Sequence, residues 1–386
     1  MPSDLADKPV ILQVIPQLNT GGAERTTLDI AAALVREGFC ALVASEGGRM
    51  EPELAAVGGE LIRMPAASKA PHKILSNAMA LRDLIRKRDV KIVHARSRAP
   101  AWSALMAANT AGVPFVTTYH GFYNAGNPLK RFYNSVMVRA DAVIANSQWT
   151  ADHILREYRK PPKRLVVIPR GTDPEIFDPA SIAPDRIAQM RRHWGVAEDD
   201  FVALLPGRLT RWKGQGVLID ALAEMKARGD VSTIRAIFAG DAQGRDDYEK
   251  ELRDRIVSLG LQDNAFIVGH VEDMPVAYAA SDVVVSASIE PEAFGRVAAE
   301  ASSMAKPVIA SDHGGARETV LTNVSGLLVP PGDAAALAQA LEKIVATPPH
   351  GRINMGVAGR AHIIRNYSRE GMCRETIALY RSLIAG

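Results

Sequence analysis

Cysteine is almost absent from this 386-residue chain: there are two, Cys40 and Cys373, far apart in sequence. No Cys/His grouping has zinc spacing, which argues against a disulfide framework and a structural zinc. The two thiols fit a reducing compartment. Long apolar runs are also missing, since none approaches the ~18 residues of a membrane span. The opening "MPSDLADKPVILQVIPQ" has no basic region before its short apolar run. It does not read as a secretory signal, so the expected location is cytoplasmic. Several catalytic signatures are lacking too. There is no G-x-S-x-G elbow, no H-E-x-x-H and no D-x-D at the end of a strand. Serine-hydrolase chemistry is therefore not indicated, and no metal is implied.

What is present fits a soluble globular protein, with 47% apolar and 23% charged residues. The length suggests two domains. Net charge is +3, unevenly spread. Residues 1–180 carry 23 Lys and Arg against 17 Asp and Glu, an excess of six positive charges; the remainder is acidic by three. A basic first half suits an acidic partner, whether a phosphate-bearing acceptor, an anionic membrane or a nucleic acid. No recognised nucleic-acid module accompanies it, so no nucleic-acid partner is expected.

Short apolar runs alternate with helical patterns. In the first half they are "VILQVIP", "CALVAS", "VKIVHA", "PFVTTYH", "DAVIANS" and "RLVVIPRG". After a Pro- and Asp-rich stretch, Thr172 to Asp200, read as a linker, they resume as "FVALLPGR", "IRAIFAG", "AFIVGH", "DVVVSAS", "KPVIASD" and "GLLVPPG". Continuous apolar strands separated by helices indicate parallel sheets covered on both faces. The expected fold is α/β, with two Rossmann-like units and a C-terminal helix, "REGMCRETIALYRSLIAG", that follows no strand.

In open parallel sheets ligands bind where strands end. After the first strand come Gly21 and Gly22, which permit close backbone approach to an anion at a helix start. Arg96 and Arg98 follow "VKIVHA", and His120 follows "PFVTTY". Arg208 and Lys213 flank the loop "GRLTRWKGQG", a fork and a point charge suited to a diphosphate. After "DVVVSAS" comes "EPEAFGRVAAEA", with Glu290, Glu292 and Glu300. A helix starting near Phe294 would put Glu300 nearly two turns inside it. Glu292 and Glu300 would then be too far apart for a proton-sharing pair and well placed for two ends of one ligand. Each carboxylate can accept hydrogen bonds from vicinal hydroxyls. Glu290 has Ala298 at the matching distance and is expected to be a bystander.

"GRLTRWKG" together with "EAFGRVAAEA" resembles the retaining nucleotide-sugar glycosyltransferases of family 4, which have the GT-B fold. The E-x7-E spacing is its most specific element; "ASDHGGARETV", "GLLVPPGD", the early Gly-Gly and "YHG" also match. The resemblance implies two Rossmann-like domains facing a central cleft. The acceptor side would be residues 1–180 and the donor side 181–366, with a final helix, about 367–386, crossing back to the first. It implies that Arg208 and Lys213 hold the donor diphosphate, Glu300 the ribose and Glu292 the transferred sugar. Backbone near Phe294 and Gly295 would assist, with Val297 packing close, and His270 and Val271 would line the base. Gly21 and Gly22 would close over the phosphates, and His120 would face the sugar. Arg208, Lys213, Glu292 and His120 are thus the expected catalytic group. The donor would be a UDP- or GDP-type sugar, with no cofactor and no metal.

The acceptor is expected to be a glycan or lipid-linked molecule, near Arg96 and Arg98, in cell-envelope polysaccharide or lipopolysaccharide synthesis. "NPLKRFYNSVMVRAD" reads as a basic amphipathic helix for the inner membrane face. The alternatives are a non-catalytic sugar-nucleotide-binding subunit, a GT-B-like epimerase and a phosphorylase relative.

Overall fold

The computed structural model describes residues 8–386 except 20, 122, 124, 125 and 230. The first seven residues of the opening stretch, and of the 1–180 domain, lie outside it. The chain forms two compact units: one runs to Arg170 and includes Arg369–Gly386, the other is Gly171–Ser368.

The first unit holds β1 (Val10–Val14), β2 (Cys40–Ser45), β3 (Glu60–Arg63), β4 (Val90–Ala95), β5 (Phe115–Tyr119), β6 (Ala142–Ala145) and β7 (Leu165–Val167). All pair in parallel, in the order β3-β2-β1-β4-β5-β6-β7. The second holds β8 (Phe201–Pro206), β9 (Ile234–Ala239), β10 (Ala265–Gly269), β11 (Val283–Ser286), β12 (Val308–Ser311) and β13 (Gly326–Val329). Their order is β10-β9-β8-β11-β12-β13, again parallel. Both sheets therefore reverse direction once, between β1 and β4 and between β8 and β11. Ligand crevices open at such reversals.

Every apolar run quoted above forms a strand. β3 escaped notice because it is a four-residue edge strand with no fully buried residue. Strand periodicity sends alternate side chains to opposite faces. Ile11, Val43 and Ile92 pack on one side of the first sheet, Leu12, Leu42 and Val93 on the other.

The stretch 172–200 is not a free linker. Thr172 N donates to Tyr367 O, and the Arg360 guanidinium reaches Phe177 O and Asp178 Oδ1 at 2.7 and 3.0 Å. The helix Pro184–His193 lays Ile187 and Met190 into the core around Tyr278 and Trp194. These contacts place the division at Arg170 rather than at 180. Its proline and aspartate cap and start short helices, so a composition typical of linkers conceals an amphipathic segment.

The C-terminal helix Arg369–Ile384 belongs to the first unit and buries Met372, Cys373, Ile377 and Tyr380 in its core. Tyr380 is fully buried, with its hydroxyl 2.5 Å from His94 Nδ1; His94 Nε2 lies 2.7 Å from Thr118 Oγ1. Burial, followed by the charges of Arg96 and His120, holds the His94 imidazole well below its usual value.

Two outcomes follow. Tyr380→Phe leaves a buried ring nitrogen unpartnered and should cost about 1–3 kcal/mol of unfolding free energy, read by denaturant titration. The unfolded chain protonates His94 near 6.5 while the folded chain does not. Its contribution is therefore complete above that pH and is lost as pH falls below it toward the depressed native value. The melting temperature should fall across this window, and replacing His94 should flatten the dependence.

Candidate functional site

In the second unit, β8 and β11 are neighbours, and the loops leaving them meet. The loop after β8 contains the short turn Arg211–Lys213 and leads through Gly214 into the helix Gln215–Arg228. The loop after β11 runs through Ser288 and Glu292 to Gly295. Ile289 N donates to Trp212 O at 2.7 Å, joining them. The approach is so close that a Cβ added to Gly214 would lie 1.9 Å from Ala287 O, and its φ of 77° also favours glycine. A third loop, after β12, packs beneath: Gly315 N donates to Glu292 O at 2.9 Å, and a Cβ on Gly314 would sit 2.3 Å from that oxygen.

This packing brings together residues far apart in sequence. Lys213 Nζ lies 2.8 Å from Glu292 Oε1, and Ser288 Oγ donates to the same oxygen at 2.5 Å. The two side chains are only 14% and 16% exposed, so the pair is shielded from screening by solvent. Burial pushes the Glu292 carboxyl up, but the charge and hydrogen bond of Lys213, with Ser288 adding to them, bring it below its usual range. Lys213 Nζ also lies 4.5 Å from the centre of the Trp212 ring. Arg208 is exposed and makes no side-chain hydrogen bond or ion pair among the described residues. It lies on the same loop as Lys213, as an exposed cation.

Glu300 is 9% exposed. Tyr278 Oη donates to its Oε2 at 2.9 Å, and Arg296 Nε and Nη2 donate to its Oε1 at 3.1 and 2.5 Å. Burial, then the adjacent carboxylate, pushes the Tyr278 phenol well above its usual value and keeps it a donor. The helix begins at Arg296, behind Gly295 in the left-handed region at φ 78°, and not at Phe294. Glu300 therefore lies just over one turn inside it, because Gly295 ends the loop two residues later than the apolar pattern suggested. The Phe294 side chain is buried against Ala299, Ile363 and Tyr367, so only its backbone can face a ligand. Val297 is half-buried, and Glu290 is exposed. His270, exposed, and Val271, half-buried, follow β10.

In the first unit, Gly21 precedes the helix Gly22–Arg36 in extended backbone and supplies no side-chain cap. Arg98 packs over the Tyr123 ring at 4.1 Å and donates to Asn134 Oδ1 at 2.8 Å. Arg96 is not a surface cation: it is 2% exposed, and its Nε and Nη2 donate to Gln13 Oε1 at 2.9 and 2.6 Å. His120 is half-buried, with Nδ1 3.0 Å from Arg170 Nη2. Burial, then the charges of Arg170 and Arg96, hold its imidazole well below its usual value, hence neutral near pH 7. The basic helix is shorter than expected. It covers Pro128–Asn134, while Val136 and Met137 are fully buried in the next turn. Leu129 and Phe132 remain exposed beside Lys130.

Sequence reasoning passed over Tyr278, Arg296, Ser288 and Arg170. Two were readable: Arg296–Glu300 and Ser288–Glu292 are both four residues apart. Arg170 stands at the end of β7, where the strand-end rule applies. Tyr278 had no local signal.

Comparison with known proteins agrees with this architecture. The model of Glycosyltransferase Family 4 matches residues 20–176, and that of Glycosyl transferases group 1 matches residues 186–362. A glycosyltransferase from Rickettsia africae ESF-5 is 35% identical, with 98% of this chain and 99% of that one superposing at a TM-score of 0.89. Anabaena HepE, solved in complex with UDP-glucose, is 27% identical, with 97% and 99% covered at a TM-score of 0.83. The D-inositol 3-phosphate glycosyltransferase of Stackebrandtia nassauensis is 29% identical over 71% of this chain and 64% of its own length. The chain thus spans less than two thirds of that relative. With two parallel Rossmann-like sheets and full-length similarity to a solved glycosyltransferase, this chain belongs to the family 4 glycosyltransferases of the GT-B fold.

Proposed function

We propose that this protein moves a sugar from a nucleotide diphosphate donor to a hydroxyl of a glycan or lipid-linked acceptor, with retention of anomeric configuration and without a metal. The observation that carries the reading is the mostly buried Lys213–Glu292 pair at the strand reversal of the second unit, on loops that also carry Arg208 and lead into the helix of Glu300. Breaking a sugar–phosphate bond develops negative charge on the diphosphate and positive charge on the anomeric carbon. Arg208 and Lys213 answer the first with preorganised cations in a partly dry site. Glu292, kept ionised by Lys213 and Ser288, offers a carboxylate to sugar hydroxyls. Glu300, clamped by Tyr278 and Arg296, offers another to the ribose; the clamp fixes its rotamer before the ligand arrives. The acceptor oxygen bonds to the anomeric carbon on the face the phosphate leaves, and its proton passes to the departing phosphate oxygen. Neutral His120 serves as a hydrogen-bonding partner to the sugar, not as a cation.

Uracil is the favoured donor base, because HepE, at 27% identity, was solved with UDP-glucose. A phosphate-bearing acceptor is consistent with the basic first half and with the relatives named for inositol 3-phosphate. Exposed Leu129 and Phe132 beside Lys130 support contact with an anionic membrane surface and a role in envelope glycan synthesis. Among the described residues, no helix is long and apolar enough to cross a membrane.

Arg208→Ala should lower kcat about 100–1000-fold, the usual loss when one preorganised charge contact is removed. Because its side chain is exposed and has no partner among the described residues, unfolding free energy should change by less than about 0.5 kcal/mol. Turnover close to the parent's at saturating acceptor, or loss of the parent's activity in EDTA, would count against the proposal. Sedimentation with anionic liposomes at low salt should recover the protein with the vesicles, and Phe132→Ser should reduce that fraction. A protein that stays in the supernatant rules out the membrane contact.

A further inference from the structure

In the second unit, the loops after β11 and β12 share more than the backbone contact at Glu292. His313, half-buried in the loop after β12, reaches across to the loop after β11: its Nε2 lies 2.7 Å from Ser288 O. A carbonyl oxygen only accepts, so Nε2 must carry a proton and donate. The bond therefore holds whether the ring is neutral or protonated. Two residues further on, Gly315 N donates to Glu292 O at 2.9 Å. One loop thus holds the segment 288–292 at both ends, by a side chain at Ser288 and by its backbone at Glu292.

Between these anchors lies the carboxylate of the candidate site. Ser288 is 3% exposed, and its hydroxyl donates to Glu292 Oε1 at 2.5 Å. A serine side chain has three staggered positions, and which of them meets Glu292 depends on where the backbone at 288 is fixed. His313 fixes it. Lys213 Nζ donates to the same Oε1 from the loop after β8, so both donors take one oxygen and leave Oε2 for a ligand hydroxyl. Burial raises the Glu292 carboxyl; the charge of His313 joins Lys213 and Ser288 in lowering it, so the ring also stands close enough to act on the carboxylate.

We propose that His313 is a positioning residue for the transferred sugar. Through Ser288 it sets the orientation in which Glu292 presents its open oxygen to a sugar hydroxyl. This rests on the assignment, proposed above, of Glu292 to the sugar. The clamp on Glu300 is built from Tyr278 and Arg296 and does not involve His313. The nucleotide part of the donor therefore binds independently of His313, and the effect is confined to the sugar.

Titration calorimetry of the whole protein tests this without turnover. The probes are UDP with UDP-glucose and GDP with GDP-mannose, and the pair that binds the parent is read as a ratio, affinity for the nucleotide sugar over affinity for its nucleotide. His313→Leu should lower that ratio about five- to tenfold, as expected for one hydrogen bond, and leave the nucleotide's own affinity within about twofold. His313→Gln, whose side-chain amide can donate to Ser288 O, should restore most of it. Ser288→Ala should reproduce the loss, and the double variant should lose little more than either alone, because both act through one hydroxyl. A parental ratio in His313→Leu, an equal loss for nucleotide and nucleotide sugar, or additive losses with Ser288→Ala overturns the proposal. Should His313→Leu not fold, a parental ratio in Ser288→Ala overturns it alone. Glu292→Ala decides the assignment beneath it. An unchanged ratio there removes Glu292 from the sugar, and the role of His313 with it; a lowered ratio beside an unaffected His313→Leu removes His313 alone. A parent that binds neither nucleotide sugar overturns both.

Discussion

The candidate donor site depends on a backbone approach that only glycine permits. The loops after β8, β11 and β12 pack so tightly that a single added carbon at Gly214 or Gly314 would overlap a carbonyl oxygen of the facing loop. That closeness has a chemical result. It lets Lys213, from one loop, reach Glu292, from another, and it lets Gly315 N hold the Glu292 backbone in place. The ion pair is mostly buried and would be costly to leave half-made, which keeps both side chains in one geometry before any ligand arrives. Glu300 is fixed by similar logic, with one donor from its own helix and one from Tyr278.

The two units handle charge differently. In the second, cation and carboxylate neutralise each other across adjacent strands, while Arg208 is left exposed for a ligand. In the first, Arg96 is buried on the neutral Gln13 and Thr118, and Arg170 contacts His120. Buried donors without acceptors are uncommon in native proteins, because each forfeits hydration. The basic excess in the first half of the sequence thus has an interior component as well as a surface one.

Much of the fold was legible because its cause is local. Continuous apolar runs mark strands covered on both faces, and twelve such runs form twelve strands. β3 was not, since a half-exposed edge strand has neither the burial nor the length to show the pattern. The stretch 172–200 misled because proline and aspartate serve helix starts as well as linkers, and its anchors, Arg360 and Tyr367, lie far along the chain. At the site, strand-end placement picked out Arg208, Lys213, Glu292, Glu300, Arg96 and His120. It did not distinguish Arg96, turned inward onto Gln13, from Arg208, turned out to solvent.

By itself the sequence determined what periodicity and spacing can carry: two parallel α/β units, a C-terminal helix without a strand, and the strand ends at which polar residues gather. Tertiary structure decided which of those residues meet. Lys213 and Glu292 are 79 positions apart, and His94 and Tyr380 are 286 apart. Side-chain period is a property of one strand, whereas a pairing needs strand order, loop closure and burial together. Those are set only when the sheet assembles and excludes water from the groups it encloses.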